Sequence, residues 1–161
     1  MGPIDAFIRL GYRCAYRGLR LYWRLFHPTT HGALVALWHG GKVLLVETSY
    51  YPFRSFPGGS VKRHESAQAA ARRELAEEIG LRVAPRALRE VDNRVHDWAG
   101  KHDHVVIFEL ELDGDRPPPL KVDGREVVSA GFFSPEEALS LPLFPPIRPL
   151  IEARQAARNP R

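Results

Sequence analysis

The chain has 161 residues, 44% of them hydrophobic and 26% charged, with a formal net charge of +4. That profile fits one folded domain with a sizeable core and excludes an intrinsically disordered chain. A single cysteine, Cys14, excludes an internal disulfide, so a reducing compartment, the cytoplasm, is expected.

The charge is local. Residues 1 to 27 carry Arg9, Arg13, Arg17, Arg20 and Arg24 against Asp5, which accounts for the whole excess and leaves the rest of the chain neutral. The body is therefore not a general polyanion binder, and nucleic acid is not an expected partner. No apolar run approaches the roughly 18 residues that would span a bilayer. Asp5 and Arg9 interrupt the aromatic N-terminus too early for a secretory signal.

Residues 4 to 26 have the period of a helix, ended by His27-Pro28. At about 100° per residue, the five arginines share one narrow stripe. Phe7, Leu10, Leu21, Tyr22 and Leu25 lie elsewhere on the wheel. The simplest expectation is a helix docked by its apolar side with a solvated arginine face. Contact of that face with phosphate groups, anionic lipid or a partner protomer is the alternative. Gly11, Cys14 and Gly18 cluster away from the arginines and would permit close packing of helices in a homodimer. Cys14 itself reads as a small packing residue.

Gly32 to Trp38 and Lys42 to Thr48 read as strands joined by a turn at His39-Gly40-Gly41, a hairpin. Tyr50 to Gly59 is a loop rich in aromatics, proline and glycine. A helix runs from about Glu65 to Ile79 and stops at Gly80 as its C-cap. Leu81 to Val91 reads as extended, Asp92 to Asp103 as a polar loop containing Trp98, and His104 to Leu112 as an alternating strand. Asp113 to Pro119 is rich in turn residues, and Val127 to Phe133 is a further strand. Ser134-Pro135-Glu136-Glu137 is a capping box opening a short helix. A final helix follows the proline-rich stretch from Pro142 to Pro149. Interleaved strands and helices after an initial hairpin predict an α/β layered domain with a mixed sheet. The chain divides into a basic amphipathic helix, 1–28, appended to a catalytic domain, 29–161.

The chemistry concentrates around the middle helix. Glu74, Glu77 and Glu78 fall at i, i+3 and i+4, where three like charges repel one another. Glu78 also falls between Ala67 and Ala71 and near Leu75, on a face otherwise fit for a core, and a buried carboxylate needs a partner. Arg73 reaches Glu77 at i+4. A hard divalent cation would serve all three glutamates, since carboxylate oxygens are the ligands that magnesium prefers. Gly58 and Gly59 let the backbone turn sharply toward a ligand, and a carbonyl there completes a metal shell. Glu65, at the helix start, is well placed for the helix dipole. An isolated E-x-x-E-E is usually a solvated face; here the surrounding residues decide otherwise.

Gly59, Glu65, Arg73, Glu74, Leu75, Glu77, Glu78, Gly80 and Leu81, preceded by Phe56-Pro57-Gly58, resemble at every defined position the Nudix box of the Nudix hydrolases. The resemblance covers about residues 30 to 145. It implies an α/β/α sandwich with a mixed sheet, here with an extra N-terminal helix. It also implies Mg2+-dependent (or Mn2+-dependent) hydrolysis of a diphosphate linkage in a nucleoside diphosphate joined to another group. Glu74, Glu77, Glu78 and the Gly58 carbonyl match the metal ligands, Arg73 the residue that orients the glutamates, and Glu65 the acid that supports the loop–helix junction. A further acid outside the box often serves as base or extra ligand; Asp103, Glu109, Glu111 and Glu126 are candidates. Tyr51, Phe53, Arg54 and Trp98 are candidates for holding the nucleotide, the aromatics by stacking on a base. His96, Asp97, His102, Asp103 and His104 lie close in sequence but lack ligand spacing, and read as a polar loop. The substrate is open among nucleoside triphosphates, nucleoside diphosphates and nucleotide sugars. An RNA 5′-pyrophosphohydrolase and a nucleotide-sensing module without turnover are the competing readings.

Overall fold

The computed structural model describes residues 3–122 and 124–158. A mixed sheet of six strands sits between helices on both faces. The strands are β1 (Thr29–His39), β2 (Lys42–Thr48), β3 (Gly58–Ser60), β4 (Arg89–Trp98), β5 (Lys101–Leu112) and β6 (Val127–Phe133). The helices are α1 (Pro3–Phe26), α2 (Ala67–Ile79), α3 (Pro135–Leu139) and α4 (Arg148–Arg158). The sheet runs β4-β5-β1-β2-β6, with β3 on β1 beside β2. This is the sandwich expected, with the extra helix in place.

Strand β1 builds the two cores by simple alternation. Ala33, Val35 and Leu37 meet Ala70, Ala71, Leu75 and Ile79 of α2 on one face. Leu34, Ala36 and Trp38 meet Ala138, Ile147 and Ile151, the α3–α4 side, on the other. One edge of β1 pairs with β5 in parallel along its length, from Thr29↔His102 to His39↔Leu112. Its other edge is divided. Strand β2 pairs there only at Trp38↔Val43 and His39↔Lys42, and β3 takes Gly32 to Leu34. Ser55 bridges to Val46 of β2, so the segment around 54–60 is wedged between the two hairpin strands and opens the sheet.

Three local expectations change. The stretch 92–103 is a hairpin, not a loop: β4 turns at Ala99-Gly100, both at positive φ, into β5. As an edge strand, β4 exposes most of its side chains, so it carries no apolar alternation. The expected extended run from Leu81 includes a 3-10 turn at Pro85–Ala87. Helix α2 starts at Ala67 with Ser66 as N-cap, its hydroxyl accepting from the Ala69 amide at 3.1 Å. Glu65 therefore precedes the helix.

The docking of α1 is the reverse of the simplest expectation. Tyr12 stacks on Tyr50 at 5.9 Å, and Tyr16 lies 5.3 Å from Tyr50 and 5.7 Å from Tyr51. The Lys101 ammonium sits 4.5 Å over the Trp23 ring. Arg9 donates to the Gly124 carbonyl and Arg13 to the Ser49 carbonyl, each at 3.0 Å. Tyr12, Tyr16 and Trp23 form one stripe beside the arginines, giving flat area for packing and donors for exposed carbonyls. The aliphatic side is left facing outward.

Gly58 is the tightest of the glycines for which the structure gives a neighbour. It sits at φ 145°, and a Cβ there would lie 2.2 Å from the Ala33 carbonyl oxygen. Gly58→Ala is expected to cost at least about 2 kcal/mol in urea unfolding. Gly32→Ala, whose Cβ would meet only Gly59 O at 3.8 Å, should be neutral or stabilising by up to about 1 kcal/mol.

Candidate active site

The loop and helix that carry the glutamates are joined by side-chain bonds. Phe56 is fully buried and anchors the loop, and the Val35 amide donates to the Pro57 carbonyl at 2.9 Å. A Cβ on Gly59 would lie 2.6 Å from Glu74 Oε1, so this position must lack a side chain for Glu74 to approach. Glu78 lies on the buried face of α2, as its wheel position predicts. Its Oε2 accepts from the Gly58 amide at 2.8 Å.

Arg73 is the hub. Its Nε lies 3.0 Å from Glu65 Oε1, its Nη1 2.6 Å from Glu74 Oε1 and 3.2 Å from Glu77 Oε2. Its Nη2 donates to the Ser60 carbonyl and to Glu65 Oε2, each at 3.0 Å. One guanidinium thus ties the end of β3, the turn before α2 and the face of α2 that carries the glutamates. The Arg73 bonds, helped by the Lys62 amide, hold Glu65 down to about 2, and the same Glu65 bonds raise Arg73. Glu74 goes the other way. Burial pushes it up; Arg73 opposes this, and the charges of Glu77 and Glu126 add to the rise.

Glu126 is therefore within electrostatic reach of Glu74. It also accepts from the Tyr50 hydroxyl at 2.9 Å. The other acids named outside the box have partners of their own. Glu109 pairs with Arg89 and Arg154, and Glu111 with Arg154. Asp103 is buried, 2.7 Å from Lys101 Nζ and 2.6 Å from the Thr30 hydroxyl that donates to it. Among the described residues, no three His, Cys, Asp or Glu side chains are drawn together tightly enough to hold a metal ion. Arg73 and the Gly58 amide engage the glutamates instead. The donor set nevertheless suits a hard divalent cation: carboxylate oxygens that repel one another, one of them desolvated, beside a glycine backbone.

A cavity of about 280 Å³ opens beside this junction. Glu78, Gly58 and Gly59 line it together with Tyr51, Trp98 and Phe144, and Thr30, Lys101 and Asp103 are further polar members. Of the residues expected to hold a substrate, Tyr51 and Trp98 line the cavity. Phe53 is not among its lining residues; it packs 5.3 Å from Tyr51 and 5.7 Å from Trp98. Arg54 does not line it either, being paired with Glu47 at 2.7 Å and stacked over Phe133. The histidines near Asp97 sit on the β4–β5 hairpin, where His102 pairs with Asp97 at 2.5 Å.

Three wall residues, Tyr16, Leu19 and Trp23, come from α1 and escaped the sequence reading. Their signal was available. Tyr12, Tyr16, Leu19 and Trp23 recur at steps of four, three and four, the period of a buried helix stripe.

The NUDIX domain family profile matches residues 28–153. The chain belongs to the Nudix hydrolase family. It is 33% identical over 133 residues to the CTP pyrophosphohydrolase of Escherichia coli (strain K12), covering 75% of this chain and 87% of that protein. The solution structure of the E. coli ORF135 protein superposes with a TM-score of 0.64 at 28% identity, over 83% of this chain and 94% of the other. A C. elegans Ap4A hydrolase shares the fold with a TM-score of 0.66 at 20% identity, over 80% of this chain and 96% of the other. This Nudix protein is thus an enzyme of the nucleotide pyrophosphohydrolase kind. Its box glutamates fall on the loop–helix junction, and its N-terminal helix closes one side of the cavity beside them.

Glu65 gives a stability test of the junction. Because Arg73 lowers its pKa from 4.5 to about 2, the ionised form stabilises the fold fully above the ordinary value. That contribution disappears as pH falls through the window from about 4.5 to about 2. Glu65→Gln should lower the urea midpoint at about pH 7. The difference from the parent should shrink across that window. A gap that stayed constant would remove Arg73–Glu65 as the cause.

Proposed function

We propose that the enzyme hydrolyses nucleoside triphosphates with magnesium, the base in the aromatic part of the cavity and the phosphates at the glutamate part. The observation that carries this reading is the single cavity lined both by Glu78 with the Gly58-Gly59 backbone and by Tyr51, Trp98 and Phe144. Its volume suits one planar base better than an extended polymer. The resemblance to a CTP pyrophosphohydrolase supports the substrate class.

In this reading Glu74, Glu77, Glu78 and the Gly58 carbonyl hold the cation. Bound there, a divalent ion neutralises phosphoryl oxygens and lowers the pKa of the attacking water. Arg73 orients Glu74 and Glu77, the Gly58 amide orients Glu78, and Glu65 holds Arg73. Glu126, coupled by charge to Glu74 and hydrogen-bonded to Tyr50, takes the proton from the attacking water. Burial raises the Tyr50 phenol, and the Glu126 carboxylate adds to this, so Tyr50 stays a neutral donor to Glu126 at working pH. Trp98, Tyr51 and Tyr16 offer faces for stacking, worth about 1–3 kcal/mol per base. Asp103, with Thr30 and Lys101, presents a polar edge in the same cavity.

The test is hydrolysis of a panel of nucleoside triphosphates, nucleoside diphosphates, nucleotide sugars and 5′-triphosphate RNA, read as the nucleoside monophosphate or 5′-monophosphate end formed and the pyrophosphate, phosphate or sugar phosphate released, with Mg2+ and with chelator. Release from mononucleoside triphosphates, abolished by chelator, is expected. Preference for RNA ends would move the assignment to the RNA-directed reading. Glu77→Gln should lower kcat by about 10²–10⁴ at saturating Mg2+. Trp98→Ala should act mainly on KM, raising it about tenfold or more. Full activity in Glu77→Gln would overturn the metal assignment.

A further inference from the structure

The outward face of α1 has no partner among the described residues, although it is the most apolar surface of the protein. Ile4, Phe7, Leu10, Leu21, Leu25 and Phe26 are each more than half exposed, Phe7 to 78%. At about 100° per residue they span roughly half of the helix wheel. The wheel has three sectors. Asp5, Tyr12, Tyr16 and Trp23 face the body. Arg13, Arg17, Arg20 and Arg24 form a flank. The apolar half borders that flank at Leu10 and Leu21, next to Arg17. Among the described residues, Arg17, Arg20 and Arg24 have no acidic partner, and Asp5 is turned to Arg125 at 3.4 Å.

We propose that this face of α1 docks the enzyme onto an anionic lipid surface. The apolar half would lie at the headgroup–acyl boundary, with Arg17, Arg20 and Arg24 at headgroup level along one side. The helix is laid along the body and does not project from it, and among the described residues no helix is long and apolar enough to cross a membrane. It therefore lies on the bilayer without spanning it. The rest of the chain carries no net charge, so the net positive charge of the protein lies on the helix that also bears the apolar residues. The cavity wall of Tyr16 and Trp23 is on the other side of the same helix, which keeps the catalytic cavity off the bilayer plane and beside it.

A second copy of the chain is the competing occupant, and its chemistry is wrong. Ile4, Phe7, Gly11, Cys14, Gly18, Leu21 and Leu25 have the three–four spacing of a helix-pairing seam. The positions flanking that seam are Leu10, Arg17 and Arg24 on one side and Ile8, Ala15 and Tyr22 on the other. None is acidic, so no arginine of one helix finds a partner on the other, and an antiparallel pair would bring Arg17 toward Arg17. The middle of the seam, Gly11, Cys14 and Gly18, leaves room for close approach but brings no counter-charge to the flanking arginines. An anionic surface answers every flanking charge, and a twin helix answers none.

Cys14 falls within the apolar sector, is exposed and is the sole cysteine, so a polarity-sensitive fluorophore on it reports directly on the face. The full-length enzyme, labelled there, is mixed with phosphatidylglycerol/phosphatidylcholine vesicles and with pure phosphatidylcholine vesicles. A blue shift and co-flotation with the anionic vesicles only, weakened by salt, are expected. Phe7→Glu with Leu25→Glu, both outside the cavity, should lower vesicle affinity at least about tenfold while leaving soluble-substrate hydrolysis unchanged. Arg17→Glu with Arg24→Glu should lower it on the order of fivefold per charge removed. Absence of binding to anionic vesicles overturns the proposal, as does binding that both double variants retain. So does a concentration-dependent dimer in light scattering that Phe7→Glu with Leu25→Glu converts to monomer while the parent ignores vesicles.

Discussion

The Arg73 guanidinium is the contact on which the candidate active site depends. Three acidic side chains on a short stretch of helix and turn would otherwise spread apart, because each is repelled by the others and drawn to water. Arg73 gives them a shared counter-charge and fixes its own position on the Ser60 carbonyl and Glu65. Glu65 contributes nothing to the cavity wall; it immobilises the arginine that orders the glutamates. That explains why an acid just before the N-cap belongs to the same motif as the glutamates themselves.

The split edge of β1 supplies the space that this contact organises. A full hairpin between β1 and β2 would bury both edges and leave no place for the Gly58-Gly59 turn. The two strands pair for only two residues before the wedge of 54–60 separates them. The glycines then bring bare backbone within reach of Glu74 and Glu78. Packing density sets this requirement. Gly58 abuts the β1 backbone and leaves no space for a methyl group, and a methyl group at Gly59 would displace the Glu74 carboxylate.

Sequence reasoning found the glutamate junction because its constraints are local. Repulsion at i, i+3 and i+4, a carboxylate on a core face and a glycine turn are all visible within two dozen residues. The β4–β5 hairpin was hidden because an edge strand with polar side chains on both faces lacks the alternation that marks a half-buried strand. Arg54 sits in an aromatic loop that borders the cavity, yet its charge is absorbed by Glu47, a residue on the neighbouring strand that no local pattern links to it. The grouping of Glu126 with Glu74 depends on how β6 returns beside β2, which is a fact of topology and not of spacing.

The N-terminal helix shows the sharpest contrast between composition and packing. Hydrophobicity alone sends the aliphatic side inward, yet the body offers a partner for only one kind of surface. Near the cavity it presents tyrosine rings and unpaired carbonyls at Ser49 and Gly124, and aromatic faces with arginine donors satisfy those better than leucine does. Burying the aliphatic side there would have left the carbonyls without donors and the arginines without a role. The outcome places a wall of the cavity and an apolar surface on opposite sides of one rigid helix. Tyr16 and Trp23 on the inner side and Phe7, Leu10 and Leu25 on the outer side thus meet different demands within one continuous helix.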